Sequence, residues 1–437
     1  MKKLEDYLHQ NAQLYPDKLA AVCNGCSITY SELEKQVAAR AATLPQGQII
    51  PFRASQTIDF LVTYYAIHEA GSVAVPLERN TPQELFDDIS ARLKANTVPE
   101  GTADILYTTG TTGKSKGVII SHRTILADAE NLIEGQLFSH DLLFIINGPL
   151  NHIGSLSKLY PVMMLGATLY ILEGMRDVNL FFEALDYPAS KVATFFVPAS
   201  ARILIQFSQE RLASYADKID FIECGGAPLA HADMLTLCRL LPKTRLYNTY
   251  ASTETGIIST YDYNDGRCMA GCLGRPMSHS RIIITPEGKI SCQGDTLMSG
   301  YVGEPELTAT VLRGDTVYMS DLGRLDEEGM LHIGGRQDDI INVGGYKVSP
   351  VEVEDAAMSL PEIKDCICIS AEHKIMGSAL KLLVVLAEGA VLNKRSIALH
   401  LKSKLEPYKV PLLYEQVDAV KRTYNGKIDR KYYKESI

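Results

Sequence analysis

Apolar positions in this chain change their period repeatedly, and each change marks an element. Between Glu32 and Leu44 they recur at helical spacing and predict an amphipathic helix, whereas Ser72–Leu77 is a short apolar run that reads as a strand. Strands are also expected at Asp104–Tyr107 and Val118–Ser121, on either side of a glycine-rich loop, and at Asp141–Ile146 and Ala167–Leu172. Alternation of this kind as far as residue 336 predicts a layered α/β domain with parallel or mixed sheets.

Met330–Ile333 reads as one more strand, and Gly334–Asp338 as an exposed connection. Beyond it Ile340–Val348 predicts a hairpin around Gly344-Gly345, and Pro350 opens a helix whose first turns carry Glu352 and Glu354 against the positive end of its dipole. Strands at 365–370 and 380–387, a helix near 395–405 and a strand at 412–419 complete a small α+β unit. The chain is therefore divided at Asp338, into a large α/β domain of residues 1–337 and a C-terminal domain of residues 338–437.

Composition narrows the setting. A length of 437 residues exceeds one ordinary domain. No apolar run approaches the roughly 18 residues that span a bilayer, and the start Met1-Lys-Lys-Leu-Glu-Asp meets acids where a signal peptide has its apolar core. A cytoplasmic location without a membrane partner is expected. The net charge of −9 argues against a broad nucleic-acid surface. Nine cysteines show no metal spacing. Cys366 and Cys368 alternate within a strand-like run, so both are expected on one face as buried thiols.

The densest chemistry lies in Tyr107–Gly117, where four threonines, three glycines and two lysines follow an apolar pair. Glycines let backbone approach a polyphosphate, hydroxyls and N–H groups donate to it, and lysines balance its charge. A Walker A loop is excluded by spacing, because Thr108 stands where its first glycine belongs. A kinase or other P-loop NTPase is disfavoured for the same reason. The loop instead resembles that of the acyl-adenylate-forming superfamily, which contains acyl- and aryl-CoA synthetases, peptide-synthetase adenylation domains and firefly luciferase. Further motifs of that family recur in order: Ile28–Leu33, Ala66–Leu77, Pro149–His152, Gly225–Leu229, Tyr250–Glu254, Ser320–Arg324, Gly335–Asp338, Gly344–Lys347 and Gly426–Arg430.

The resemblance implies an adenylation domain with a small mobile lid hinged at Asp338, using ATP, Mg²⁺ and coenzyme A. Thr108, Thr109, Gly110, Thr111, Thr112, Gly113 and Lys114 would hold phosphates. Tyr250 would lie along adenine with Gly226, Ala227 and Pro228 at its edge, while Ala251, Ser252 and Thr253 continue the same motif. Glu254 would bind Mg²⁺, for which one carboxylate suffices beside waters and phosphate oxygens. Asp321 would accept from both ribose hydroxyls, and Arg336 would reach ribose or phosphate. Lys427 would bridge substrate carboxylate and phosphate in the transition state, with His152 beside the carboxylate. Gly344 and Gly345 would line the pantetheine channel.

Departures from the family carry information too. Only 31 residues separate Pro76 from Thr108, so the stretch between 77 and 107 is trimmed. Succinylbenzoate-CoA ligases are similarly compact. Ala251 replaces a commoner glycine, and Lys421 a common proline. His152 stands where amino-acid-activating domains carry an Asp, which implies a substrate without an α-ammonium group. With Val197, Gly225 and Ser252 it suggests a medium-sized, largely apolar acid. The implied activity is ATP-dependent formation of an acyl-adenylate and then of a coenzyme A thioester, with AMP and pyrophosphate released. Transfer to a carrier-protein phosphopantetheine is the alternative. A degenerate nucleotide-binding regulatory protein is a third, opposed by intact Glu254, Asp321, Arg336 and Lys427.

Overall fold

The computed structural model describes residues 2–109, 115–175, 177–343, 346–373, 377–423 and 426–435. Six strands form its parallel part, in the order Leu19–Cys23, Thr168–Ile171, Leu142–Ile146, Lys191–Phe196, Ile219–Gly225 and Arg245–Ser252. All five residues of Leu142–Ile146 are buried, as a strand covered on both faces requires. The sheet continues antiparallel through Gly256–Asp262, Cys272–Pro276, Leu331–Arg336 and Thr316–Leu325.

A second sheet carries the glycine-rich loop. Ile49–Ala54, Val73–Glu78 and Thr102–Thr109 run parallel, and Thr102–Thr109 turns back antiparallel as Ser115–Ser121. Between the two sheets lies the main core. Its helix Ile58–Glu69 buries residues all round, from Phe60 and Tyr64 to Tyr65 and His68, so it packs as a core helix. In the trimmed stretch one helix, Gln83–Lys94, connects two neighbouring strands and covers them with Ile89 and Leu93.

The C-terminal domain packs helices Pro350–Met358 and Lys394–Lys404 on a three-stranded sheet of Ile363–His373, Gly377–Leu386 and Leu413–Gln416. Cys366 and Cys368 are buried there at 2% and 1% exposure, on the core face that their alternation predicts. No helix among the described residues is long and apolar enough to cross a membrane.

Boundaries differ from expectation where side chains intervene. The first amphipathic helix runs from Tyr30 to Ala41, because Thr29 and Glu32 form a reciprocal capping box that starts it early. The expected exposed connection at 334–338 is strand as far as Arg336, since Arg336 pairs in register with Asp321. Only Gln337–Asp339 forms a short turn.

Candidate active site

Parallel α/β sheets place ligands outside the carboxyl ends of their strands, and the motif residues collect there. Ile219–Gly225 ends at Gly226, whose φ of +81° suits a residue without Cβ. Ala227 and Pro228 follow it. On the neighbouring strand Tyr250 is buried, and its hydroxyl donates to Asp321 Oδ2 at 2.8 Å. Arg336 Nε lies 3.5 Å from the other oxygen of Asp321, across the strand pair. Burial pushes the Asp321 carboxyl up; the Tyr250 hydroxyl, Arg336 and Lys427 oppose that rise.

Lys427 reaches this cluster from the C-terminal domain. A Cβ built on Gly226 would sit 3.7 Å from Lys427 Cε, and one on Gly426 would sit 3.2 Å from Val197. The lysine loop thus seats on the end of the parallel sheet. Burial first, and then nearby Arg336, lower the Lys427 pKa, whereas Asp321 and Glu254 raise it. His152 lies close enough to feel the same charge. Burial and Lys427 push its imidazole down to about 4, so it is neutral near pH 7. Its Nδ1 accepts from the Gly154 N–H at 3.3 Å, which leaves the proton on Nε2. Gly154 leaves room here, because a Cβ would crowd the Phe195 ring at 3.1 Å.

Glu254 completes the group. Tyr301 donates to its Oε1 at 3.0 Å, and no described residue donates to Oε2. Tyr301 is anchored beside the loop hairpin by pairing with Val118, and Lys116 stands 5.4 Å over its ring. Thr108 pairs with Lys116 at the hairpin end, and Thr109 is the last strand residue. Gly110, Thr111, Thr112, Gly113 and Lys114 lie outside the described residues, as do Gly344 and Gly345. Ser252 turns inward, accepting from the Thr255 N–H at 3.1 Å, between Ala251 and buried Thr253.

Three features here have no signal in linear spacing. Tyr301 is one. Another is the buried pair of Lys158 and Glu223, 2.8 Å apart beneath the Phe195 ring. The third is an ionic chain from Arg202 through Asp365 to Arg422, which ends at the Gly426 carbonyl.

The AMP-binding enzyme profile matches residues 8–98 and 84–302, and the profile of the AMP-binding enzyme C-terminal domain matches residues 352–427. The chain belongs to the AMP-binding enzymes. Among relatives of this AMP-binding enzyme, a feruloyl-CoA synthase of an Amycolatopsis species is 25% identical over 479 residues, with 96% of each chain covered. Tyrocidine synthase 3 of Brevibacillus parabrevis is 25% identical over 496 residues, covering 98% of this chain and 8% of that one. The crystal structure of ATP-bound MatB from Rhodopseudomonas palustris superposes with a TM-score of 0.87 at 23% identity, covering 98% of both chains. That likeness shows the shared fold of a large N-terminal and a small C-terminal domain.

Proposed function

We propose that this enzyme activates a carboxylic acid as its acyl-adenylate with ATP and then transfers the acyl group to the thiol of coenzyme A, releasing AMP and pyrophosphate. The observation that carries the proposal is Lys427, which the C-terminal domain inserts between Gly226, Asp321, Arg336 and Glu254. A cation at that point meets the charge that develops as a carboxylate attacks the α-phosphate, in a site where water is scarce. His152, neutral with its proton on Nε2, is suited to orient the substrate carboxylate by donating to it. Asp321 and Arg336 suit the ribose and phosphates of the nucleotide.

The donor set fits Mg²⁺. Glu254 is fixed through one oxygen by Tyr301 and keeps the other for an ion that takes few protein ligands. Bound there, Mg²⁺ would supply charge neutralisation to the phosphates; the loop residues 108–114 would hold their remaining oxygens.

A substrate without an α-ammonium group is supported by Glu223. This acid shares a sheet face with Phe195, but it is already paired with Lys158. Rotation of the C-terminal domain about Asp338 would withdraw Lys427 and bring the 341–348 hairpin to the cleft for the second step. Asp338 lies in a short turn between strands, where a change of φ and ψ disturbs little packing. Transfer to a carrier protein is the second reading, supported by the match to tyrocidine synthase 3. ATP–pyrophosphate exchange over a panel of carboxylic acids, followed by coenzyme A or a phosphopantetheinylated carrier, tests both. Absence of exchange with every acid of the panel would count against adenylation, and discharge by the carrier alone would favour the second reading.

A further inference from the structure

Three polar groups converge beneath the N-terminal helix, away from the cleft. Glu5 comes from the first turn of Leu4–Leu14, His68 from the last turn of Ile58–Glu69, and His122 is the first residue of His122–Gln136. They are 5%, 1% and 5% exposed. One ligand atom from each, a carboxylate oxygen or a ring nitrogen, lies within 4.8 Å of the other two. Glu5 Oε2, His68 Nδ1 and His122 Nδ1 are all buried without a hydrogen-bond partner. Nine other buried side-chain atoms among the described residues also lack a hydrogen-bond partner, but these three belong to residues that meet at one point. Three at one point call for a common partner.

The surroundings select its chemistry. His68 Nε2 lies 2.9 Å from Asp104 Oδ1, and the other oxygen of Asp104 accepts from Tyr64 at 2.8 Å. With Nε2–H donated to Asp104, the neutral form of His68 has its lone pair on Nδ1, in the carboxylate–histidine arrangement that orients metal ligands. Lys3 approaches Glu5 from the solvent side, 3.7 Å from Oε1, and leaves Oε2 facing inward. Two buried carboxylates and two imidazoles, neutral once they ligate, are balanced by one divalent cation. Buried charge is tolerated only when it is so compensated.

We propose that Glu5, His68 and His122 bind a divalent transition-metal ion, with zinc the best match to two imidazoles and a carboxylate, and with water in the fourth position. The ion joins the N-terminal helix to the ends of two core helices. Asp104, its outer-sphere partner, precedes Thr109 by five strand residues, or roughly 17 Å. The site therefore lies apart from the end of the glycine-rich loop.

Tag-free protein incubated with zinc chloride and passed through gel filtration should retain about one zinc per chain by elemental analysis. Replacement by Co²⁺ should give the visible absorption of a four-coordinate centre. Glu5→Gln, close to isosteric, and His122→Asn should each abolish retention, and zinc should raise the melting temperature of the unsubstituted protein but not of these variants. Asp104→Asn should weaken binding about 10–100-fold. Cys26→Ser, which removes the exposed thiol, should retain zinc fully. If His122→Asn fails to fold by circular dichroism, Glu5→Gln carries the comparison. Folded protein that emerges without zinc, or a Glu5→Gln variant that retains it, overturns the proposal and leaves water as the bridging group.

Discussion

Asp365 in the C-terminal domain accepts from Arg202 of the large domain at 3.0 Å, and its second oxygen accepts from Arg422 at 2.6 Å. Arg202 is fixed from behind by Asp233 at 2.7 Å, and Arg422 donates to the carbonyl of Gly426, the residue before Lys427. This chain of charges ties the lysine loop to the large domain in the arrangement with Lys427 inserted. The three bridging side chains are partly buried, so solvent screens them incompletely.

Asp365→Ala should therefore weaken adenylation more than thioester formation. A loss of about 1.4 kcal/mol in favour of the inserted state lowers its population relative to alternatives about tenfold. Pyrophosphate exchange should fall by that order, while discharge of supplied acyl-adenylate by coenzyme A stays within a factor of about 2. Equal losses in the two assays would assign Asp365 a general structural role.

Glu254→Gln keeps size and removes charge, so turnover should fall and the Mg²⁺ requirement rise by at least about 10-fold. Tyr301→Phe removes only the hydroxyl that steadies Oε1 and should give a smaller shift in the same direction. Magnesium titrations of the initial rate check both. An unchanged requirement in Glu254→Gln would remove this residue from the metal site.

His152 should stay neutral well below the usual histidine range, because burial and Lys427 hold it down to about 4. Since its folded pKa is depressed, its contribution to stability is present above pH 6.5 and is lost as pH falls toward 4. Side-chain ¹⁵N spectra, with the signal assigned by His152→Gln, should show a neutral ring at pH 5.5. Lys427→Ala should move its titration upward. A ring half-protonated at pH 6.5 in the unsubstituted protein would contradict the charge relation between these two residues.

Cys366 and Cys368 face the core of the C-terminal domain, and both thiols are pushed up by burial. Cys366→Ala and Cys368→Ala should leave turnover intact at a stability cost of about 1–2 kcal/mol each. Denaturant melts and rate assays check this. A large fall in turnover with stability unchanged would point to a thiol role.

Local pattern made most elements legible. Period-2 alternation placed Cys366 and Cys368 on one buried face, and turn residues marked both sides of the loop hairpin. Arg336 was harder, because its glycine-rich approach reads as a loop until the pairing with Asp321 pulls it into a strand. The motif residues Tyr250, Asp321 and Lys427 could be named from their resemblance to family motifs, but not the hydrogen bond or the charge coupling that joins them. Arg202, Asp365 and Arg422 are separated by long stretches of chain, as are Glu5, His68 and His122. No periodicity links such residues, and only the packing of domains and helices brings their charges into contact.

The central claim is that Lys427, as inserted here, promotes adenylation and then leaves the cleft. Once an acid substrate has been found by pyrophosphate exchange, Lys427→Ala should be measured in both half-reactions. Exchange should fall by roughly 100-fold or more, the scale of removing one preorganised charge donor, which is about 3 kcal/mol. Discharge of synthetic acyl-adenylate by coenzyme A should retain most of its rate. Equal loss in the two half-reactions, or exchange that persists without the lysine, would contradict it.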